Sequence, residues 1–215
     1  MVAISQSSDA SSPLSRYQQF VAQGRLKADE GQAQAVTLLN ALFQELANTK
    51  TQPGKGRWQK LFGRASSDVS ATISGLYLYG GVGRGKTMLM DMFHDSVVAQ
   101  GLNRPDLPAV WRLHFHDFMV LAQDVIHQAR STGADDPIEM AAADLARRGA
   151  VICFDEMELR DIADAMIMYR LLKALFLDRV QFIMTSNYRP DQLYPNGLHR
   201  DRLLPAIELL EDKLD

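Results

Sequence analysis

A single cysteine, Cys153, in 215 residues leaves no partner for an intrachain disulfide and too few thiolates for a cysteine-based zinc cage. The lone thiol fits a reducing compartment without requiring one. No stretch of roughly 18 consecutive apolar residues occurs, so no segment has the composition of a membrane-spanning helix. An excess of either charge is also missing. With 26 acidic and 23 basic residues the formal charge is -3, too balanced for a domain whose whole surface neutralises nucleic-acid phosphates. Any basic patch must be local. Residues 1–12 are polar and serine-rich with no apolar core of the kind a secretion signal needs, so the expectation is a mobile tail on a soluble, cytoplasmic protein.

What is present describes a folding chain. Apolar residues make up 47% and charged residues 23%, near the globular average and far from a disordered composition. At about 150 residues per domain, the length suits one large domain, or one domain with an appendage. Ser12-Pro13 places an N-cap before a proline at the first helical position, predicting a helix to about Ala22 with Gly24 as its stop. A second helix is predicted from a cap near Asp29, with Val36, Leu39, Leu42, Phe43 and Leu46 on one apolar stripe. From Lys50 to Ser70 the composition shifts, and Lys50, Lys55, Arg57, Lys60 and Arg64 surround Trp58, Leu61 and Phe62. Residues 13–70 are thus expected to form an N-terminal helical segment and a basic linker. The cations and rings of residues 50–64 also suit contact with anionic lipid or nucleic acid, against the commoner role of a flexible basic loop.

Past Ser70, short β-rich runs alternate with helical periods, the mark of an α/β domain with a mainly parallel sheet over residues 71–215. Strands are expected at Gly75 to Tyr79, Val110 to Phe115, Ala150 to Phe154 and Val180 to Ser186. Helices are expected at about Thr87 to Val98, Asp117 to Ala129, Ile138 to Arg147 and Ile162 to Phe176, with a last one from near Leu203.

Directly after the first strand, Gly80-Gly81-Val82-Gly83-Arg84-Gly85-Lys86-Thr87 satisfies G-x-x-x-x-G-K-[ST] in the strand-loop-helix context that a phosphate-binding loop requires. A chain of this length meets those four fixed positions by chance about once in a hundred times. Glycines let backbone N–H groups turn inward around phosphates, and the following helix adds its positive end. Lys86 then reaches the β- and γ-phosphates of ATP, Thr87 is placed as a Mg²⁺ ligand, and Arg84 and Met88 flank the nucleotide.

Such a loop needs a group to hold the metal and, where water is the acceptor, a group to activate it. Val151-Ile152-Cys153-Phe154-Asp155-Glu156 is an apolar run ending in adjacent carboxylates, assigning Asp155 to the metal shell and Glu156 to general-base work. A P-loop kinase would use its own acceptor hydroxyl, so the acid pair favours hydrolysis. The next strand ends in Thr185-Ser186-Asn187, and Asn187 at its carboxyl end either orients the attacking water or forms a turn. Arg200 and Arg202, just before the last helix, suit a neighbouring subunit's γ-phosphate or an ordinary ion pair. His114 and His116 alternate without a third ligand, so structural roles are favoured over a metal site. Met88, Met90, Met92, Met166 and Met168 are expected to fill core gaps, while Asp161 and Asp164 suit an N-cap and a first-turn acid.

GLYLYGGVGRGKTMLMDMF, RLHFHDFM, ICFDEMELRDIADAM, TSNYRPDQLYPNGLHR and LLPAI together resemble the AAA+ ATPases, and more closely the ZapE cell-division ATPases of bacteria and their mitochondrial AFG-like relatives. The similarity runs from about Leu14 to the C-terminus. It implies a P-loop NTPase of AAA+ type, an ATP hydrolase using Mg²⁺, at the division ring with FtsZ as client. It also implies a homo-oligomer in which Arg200, or second Arg202, acts in trans, and an adenine contact from Gln32. A helicase-loader-like ATPase bound to nucleic acid, or a small-molecule P-loop kinase, is the alternative. Two departures stand out. Met157-Glu158-Leu159 follows the acid pair where aromatic and apolar residues are expected. The sequence also stops at Leu214-Asp215, where the family continues with a strand beside the one leading into the phosphate loop.

Overall fold

Four strands, β1 (Gly75–Tyr79), β2 (Val110–His114), β3 (Val151–Asp155) and β4 (Gln181–Ser186), form one parallel sheet in the order β1-β4-β3-β2. The structure is a computed structural model describing residues 12–50, 74–102, 110–159, 161–195 and 197–215. The tail at 1–11 and the basic segment at 51–73 lie outside the described residues. The helices are α1 (Pro13–Ala22), α2 (Glu30–Lys50), α3 (Lys86–Ala99), α4 (Phe115–Ser131), α5 (Pro137–Ala146), α6 (Ile162–Leu177) and α7 (Leu204–Lys213).

Strand parity builds two cores. Successive side chains of a strand point to opposite faces. On β3, Ile152 and Phe154 pack with α4, α5, α6 and α7, while Val151 and Cys153 pack with α1, α2 and α3. On β4, Phe182 and Met184 join the first group and Ile183 the second. The N-terminal helices therefore share a core with the sheet: Val36, Leu39, Leu42, Phe43 and Leu46 are all buried against α3 and the strands. On the opposite face the rings of Phe115, Phe118, Phe154, Phe182 and Phe176 form a chain of edge and tilted contacts.

Local signals account for the helix ends. Ser12 Oγ accepts from Ser15 N–H, with Pro13 opening α1, and Gly24 follows at φ 67°. Asp29 Oδ1 accepts from Gln32 N–H at 2.9 Å and starts α2. Asp136 and Asp161 cap α5 and α6 in the same way, and Asp164 accepts from Gln123 of α4.

Some expectations shift. The second strand ends at His114 and α4 begins at once with Phe115, because Phe115, Phe118 and Met119 all reach the core from there. A 3₁₀ turn, Arg200–Leu203, precedes α7. Met166 is 46% exposed rather than a core filler. It sits one residue past Ala165 on α6, about 100° off the buried stripe of Ala165, Met168, Leu171, Leu172 and Leu175. Met157 and Leu159 are buried, so these departures from the family pattern still supply apolar surface. At the edge of β1, Tyr77 N–H donates to the Asp215 carbonyl at 2.8 Å and Asp215 N–H to the Gly75 carbonyl at 3.2 Å, the alternation of a parallel bridge.

Candidate active site

Between β1 and α3 the chain runs through a glycine loop in which Gly83 and Gly85 hold φ 77° and 84°, values a side chain resists. Gly85 is also the N-cap of α3. No side chain caps that helix and no acid occupies its first turn, so its positive end stays open to an anion. The loop opens into a cleft of about 320 Å³ lined by Val82, Gly83, Arg84, Gly85, Lys86, Thr87, Met88, Glu156, Thr185, Ser186 and Asn187.

Lys86 is held at the centre of this arrangement. Its Nζ donates to the Gly80 carbonyl at 2.6 Å, the Gly81 carbonyl at 3.1 Å and Asn187 Oδ1 at 3.2 Å. Burial pushes the Lys86 pKa down, with the charge of Glu156 opposing that shift. A cation saturated by three neutral acceptors can exchange them for phosphate oxygens, which bind it as charge-assisted partners.

Strand β4 organises the opposite wall. Glu156 follows β3 with φ 55°, a left-handed conformation disfavoured for a residue with a Cβ. Thr185 Oγ1 accepts from Glu156 N–H at 3.1 Å, and the Thr185 carbonyl from Met157 N–H at 2.7 Å. Ser186 Oγ donates to the Met157 carbonyl at 2.7 Å and accepts from Tyr188 N–H at 3.2 Å. Tyr77 OH on β1 donates to the Tyr188 carbonyl at 3.1 Å, and burial pushes that phenol up to about 12. The acid turn and the Asn187 loop are thus tied to one strand end.

Asp155 is buried and faces α3, in parity with Val151 and Cys153. Its Oδ2 accepts from Arg112 Nε on β2 at 2.7 Å, and Arg112 Nη1 pairs with Asp91 on α3. Burial works against the Arg112 charge, but the hydrogen bonds and charges of Asp155 and Asp91 outweigh it and raise its pKa. Asp155 Oδ1 is buried with no hydrogen-bond partner. Such an atom suits the water shell of a divalent cation; Thr87 lines the cleft, whereas Asp155 lies behind its wall.

Gln32 lies over the loop. Its Nε2 donates to the Arg84 carbonyl at 3.0 Å, and its Oε1 is buried without a partner. Arg200 donates instead to the Asp191 carbonyl, and neither it nor Arg202 lines the cleft of its own chain. Thr185, Ser186, Arg112 and Asp91 are the residues that sequence reasoning missed. An arginine between Trp111 and Leu113 on an apolar strand is the one signal that could have revealed the ion pair. Among the described residues no group of three or more His, Cys, Asp and Glu side chains forms a metal cage, and His114 is exposed at the start of α4.

A sequence profile described as AFG1-like ATPase matches residues 11–215. The chain belongs to the AFG1-like ATPase family. It is 38% identical over 208 residues to the cell division protein ZapE of Escherichia coli (strain K12), covering 94% of this chain and 53% of that protein. It spans about half the length of the curated relatives it matches. Among solved structures it resembles AMPPCP-bound DnaA from Aquifex aeolicus, with a TM-score of 0.52 at 15% identity over 89% of this chain and 47% of that one. It also resembles the DnaC helicase loader, with a TM-score of 0.50 at 13% identity over 93% of this chain and 96% of that one. These likenesses, with the parallel sheet flanked by helices, give the P-loop AAA+ fold. No described helix is long and apolar enough to cross a membrane.

Proposed function

We propose that this chain binds ATP with Mg²⁺ and hydrolyses it, and that turnover drives conformational work on a protein client, FtsZ at the division ring. The observation that carries the chemistry is the convergence of Lys86, Glu156 and Asn187 on one cleft behind an uncapped helix N-terminus. The client reading rests on the similarity to a cell division protein, and with it goes a cytoplasmic protein, peripheral at the division site.

Each residue has a stated part. The amides from Gly80 to Thr87 cradle the triphosphate, and Lys86 trades the Gly80 and Gly81 carbonyls and Asn187 for the β- and γ-phosphates. Thr87 and Asp155 hold the metal, which when bound neutralises charge on the transferring phosphoryl group. Glu156 takes the proton from water and Asn187, freed from Lys86, orients that water. Gln32 Oε1 accepts from the adenine amino group. Arg200, with Arg202 second, acts on the γ-phosphate of a neighbouring subunit in a homo-oligomer.

Lys86→Ala should abolish nucleotide binding, whereas Glu156→Gln should bind normally and lose turnover, because one residue pairs with ground-state charge and the other acts on water. Phosphate release and equilibrium binding measure both, with and without FtsZ polymers. Normal hydrolysis by Glu156→Gln removes the assigned base. An unchanged rate with FtsZ removes that client, and a phosphorylated product in place of free phosphate turns the reading into a kinase.

A further inference from the structure

Arg112 has no part in the roles assigned above, yet it joins two elements of the site. It sits on β2 at the register position of Cys153, and both side chains face α3. Two residues further along the same face of β3 lies Asp155, within diagonal reach across the pair of strands. Arg112 Nε meets Asp155 Oδ2 at 2.7 Å, while Nη1 meets Asp91, one helical turn beyond Thr87. The two contacts use different edges of a planar, permanently charged group, so the guanidinium fixes both distance and direction. Most buried side-chain oxygens are hydrogen-bonded, so an unpaired one on a buried carboxylate calls for a ligand. Here Asp155 Oδ1 is left buried and unpartnered.

We propose that Arg112 is a positioning residue that clamps Asp155 to the phosphate-loop helix and turns its one unpaired oxygen toward the metal's water shell. The inference rests on the Mg²⁺-ATP reading and extends it, since it makes metal affinity depend on a side chain that touches neither nucleotide nor metal. Asp91 serves as the anchor: it ties the clamp to the helix that carries Thr87, so the metal's two protein contacts move as one unit. Outer partners of this kind change metal affinity by about tenfold to a hundredfold when removed.

The test is a Mg²⁺ titration of the full chain with a fluorescent non-hydrolysable ATP analogue, read as the Mg²⁺ midpoint and, in EDTA, as metal-free affinity. Arg112→Met should raise the midpoint about tenfold or more and leave metal-free affinity unchanged, because Lys86 and the loop are untouched. Arg112→Lys should restore part of the midpoint. Asp91, whose side chain is 51% exposed, can be changed to Asn without threatening the fold, and should shift the midpoint in the same direction by less. If Arg112→Met does not fold, Asp91→Asn decides. Midpoints equal to wild type, or metal-free affinity falling as far as the metal-bound value, overturn the inference alone. A wild-type protein that binds the analogue with no response to Mg²⁺ overturns the proposed function and the inference with it.

Discussion

Thr185→Val asks whether one hydroxyl holds the assigned base in place. Thr185 is buried, and its Oγ1 is the acceptor for Glu156 N–H at 3.1 Å. Valine keeps the β-branched shape, so the strand and its packing survive and the lost group is a single hydrogen bond. That bond is worth about 0.5–1.5 kcal/mol net, and the amide is near enough to solvent to recover part of it. A stability loss of about 1 kcal/mol should lower Tm by about 2–4 °C at this chain length.

The larger effect is on turnover. Glu156 at φ 55° stores about 1 kcal/mol or more of backbone strain, and without the Thr185 hydroxyl the turn keeps only its Met157 ties to β4, so Glu156 itself can relax. A carboxylate displaced by about 1 Å costs about a hundredfold in rate. Nucleotide affinity should hold, since it depends on Lys86 and the loop. Phosphate release, analogue binding and thermal melting on the same sample test the three parts. A variant that melts lower but hydrolyses at the wild-type rate refutes the argument. Affinity falling in step with turnover would mean that the site had collapsed. Glu156→Gly checks the strain separately: at a left-handed position it should be more stable than Glu156→Ala by about 0.5–1 kcal/mol, the reverse of the usual order.

Turnover per subunit should rise with protein concentration if Arg200 completes a neighbour's site, and Arg200→Ala should cost about 10³-fold or more in rate; a per-subunit rate flat through the assembly range removes both Arg200 and Arg202 from that part. The Glu139 amide, followed by the Ile138 amide and the Arg170 guanidinium, outweighs desolvation and holds the Asp136 carboxyl below its usual 3.8. A lowered folded value adds stability that is fully present above 3.8 and lost as pH falls through the folded value. The Tm gap between wild type and Asp136→Asn should therefore be widest near neutrality and close in acid, and a gap independent of pH contradicts the assignment.

The parts of the site that depend on local chemistry were legible in the sequence. Gly83 and Gly85 announce positive φ, Asp155 and Glu156 end an apolar run, and Ser12, Asp29 and Asp161 precede their helices as caps. The parts that depend on which strand lies beside which were not. Arg112 finds Asp155 only because β2 pairs with β3 in a register that sets it opposite Cys153. Thr185 finds Glu156 only because β4 flanks β3, and neither partner carries a spacing signal. Met166 shows the opposite failure: composition says core, but its angle on α6 decides exposure.

Strand order also explains why a strand with no nucleotide motif of its own governs the cleft. With β4 between β1 and β3, three consecutive residues at its carboxyl end meet three different segments. Thr185 holds the Glu156 turn, Ser186 bridges Met157 and Tyr188, and Asn187 reaches Lys86. Were β3 paired directly with β1, Asn187 and Thr185 would leave the space between the glycine loop and the acids. Glu156 would then lose the acceptor that offsets its strain, and Lys86 one of the three acceptors that hold it. The parallel sheet's carboxyl edge is where ligands of open α/β folds bind, and here the inserted strand makes that edge a set of mutually fixed groups. Chemistry read from the loop and the acids therefore needs β4 for its geometry, although β4 supplies no metal ligand or base.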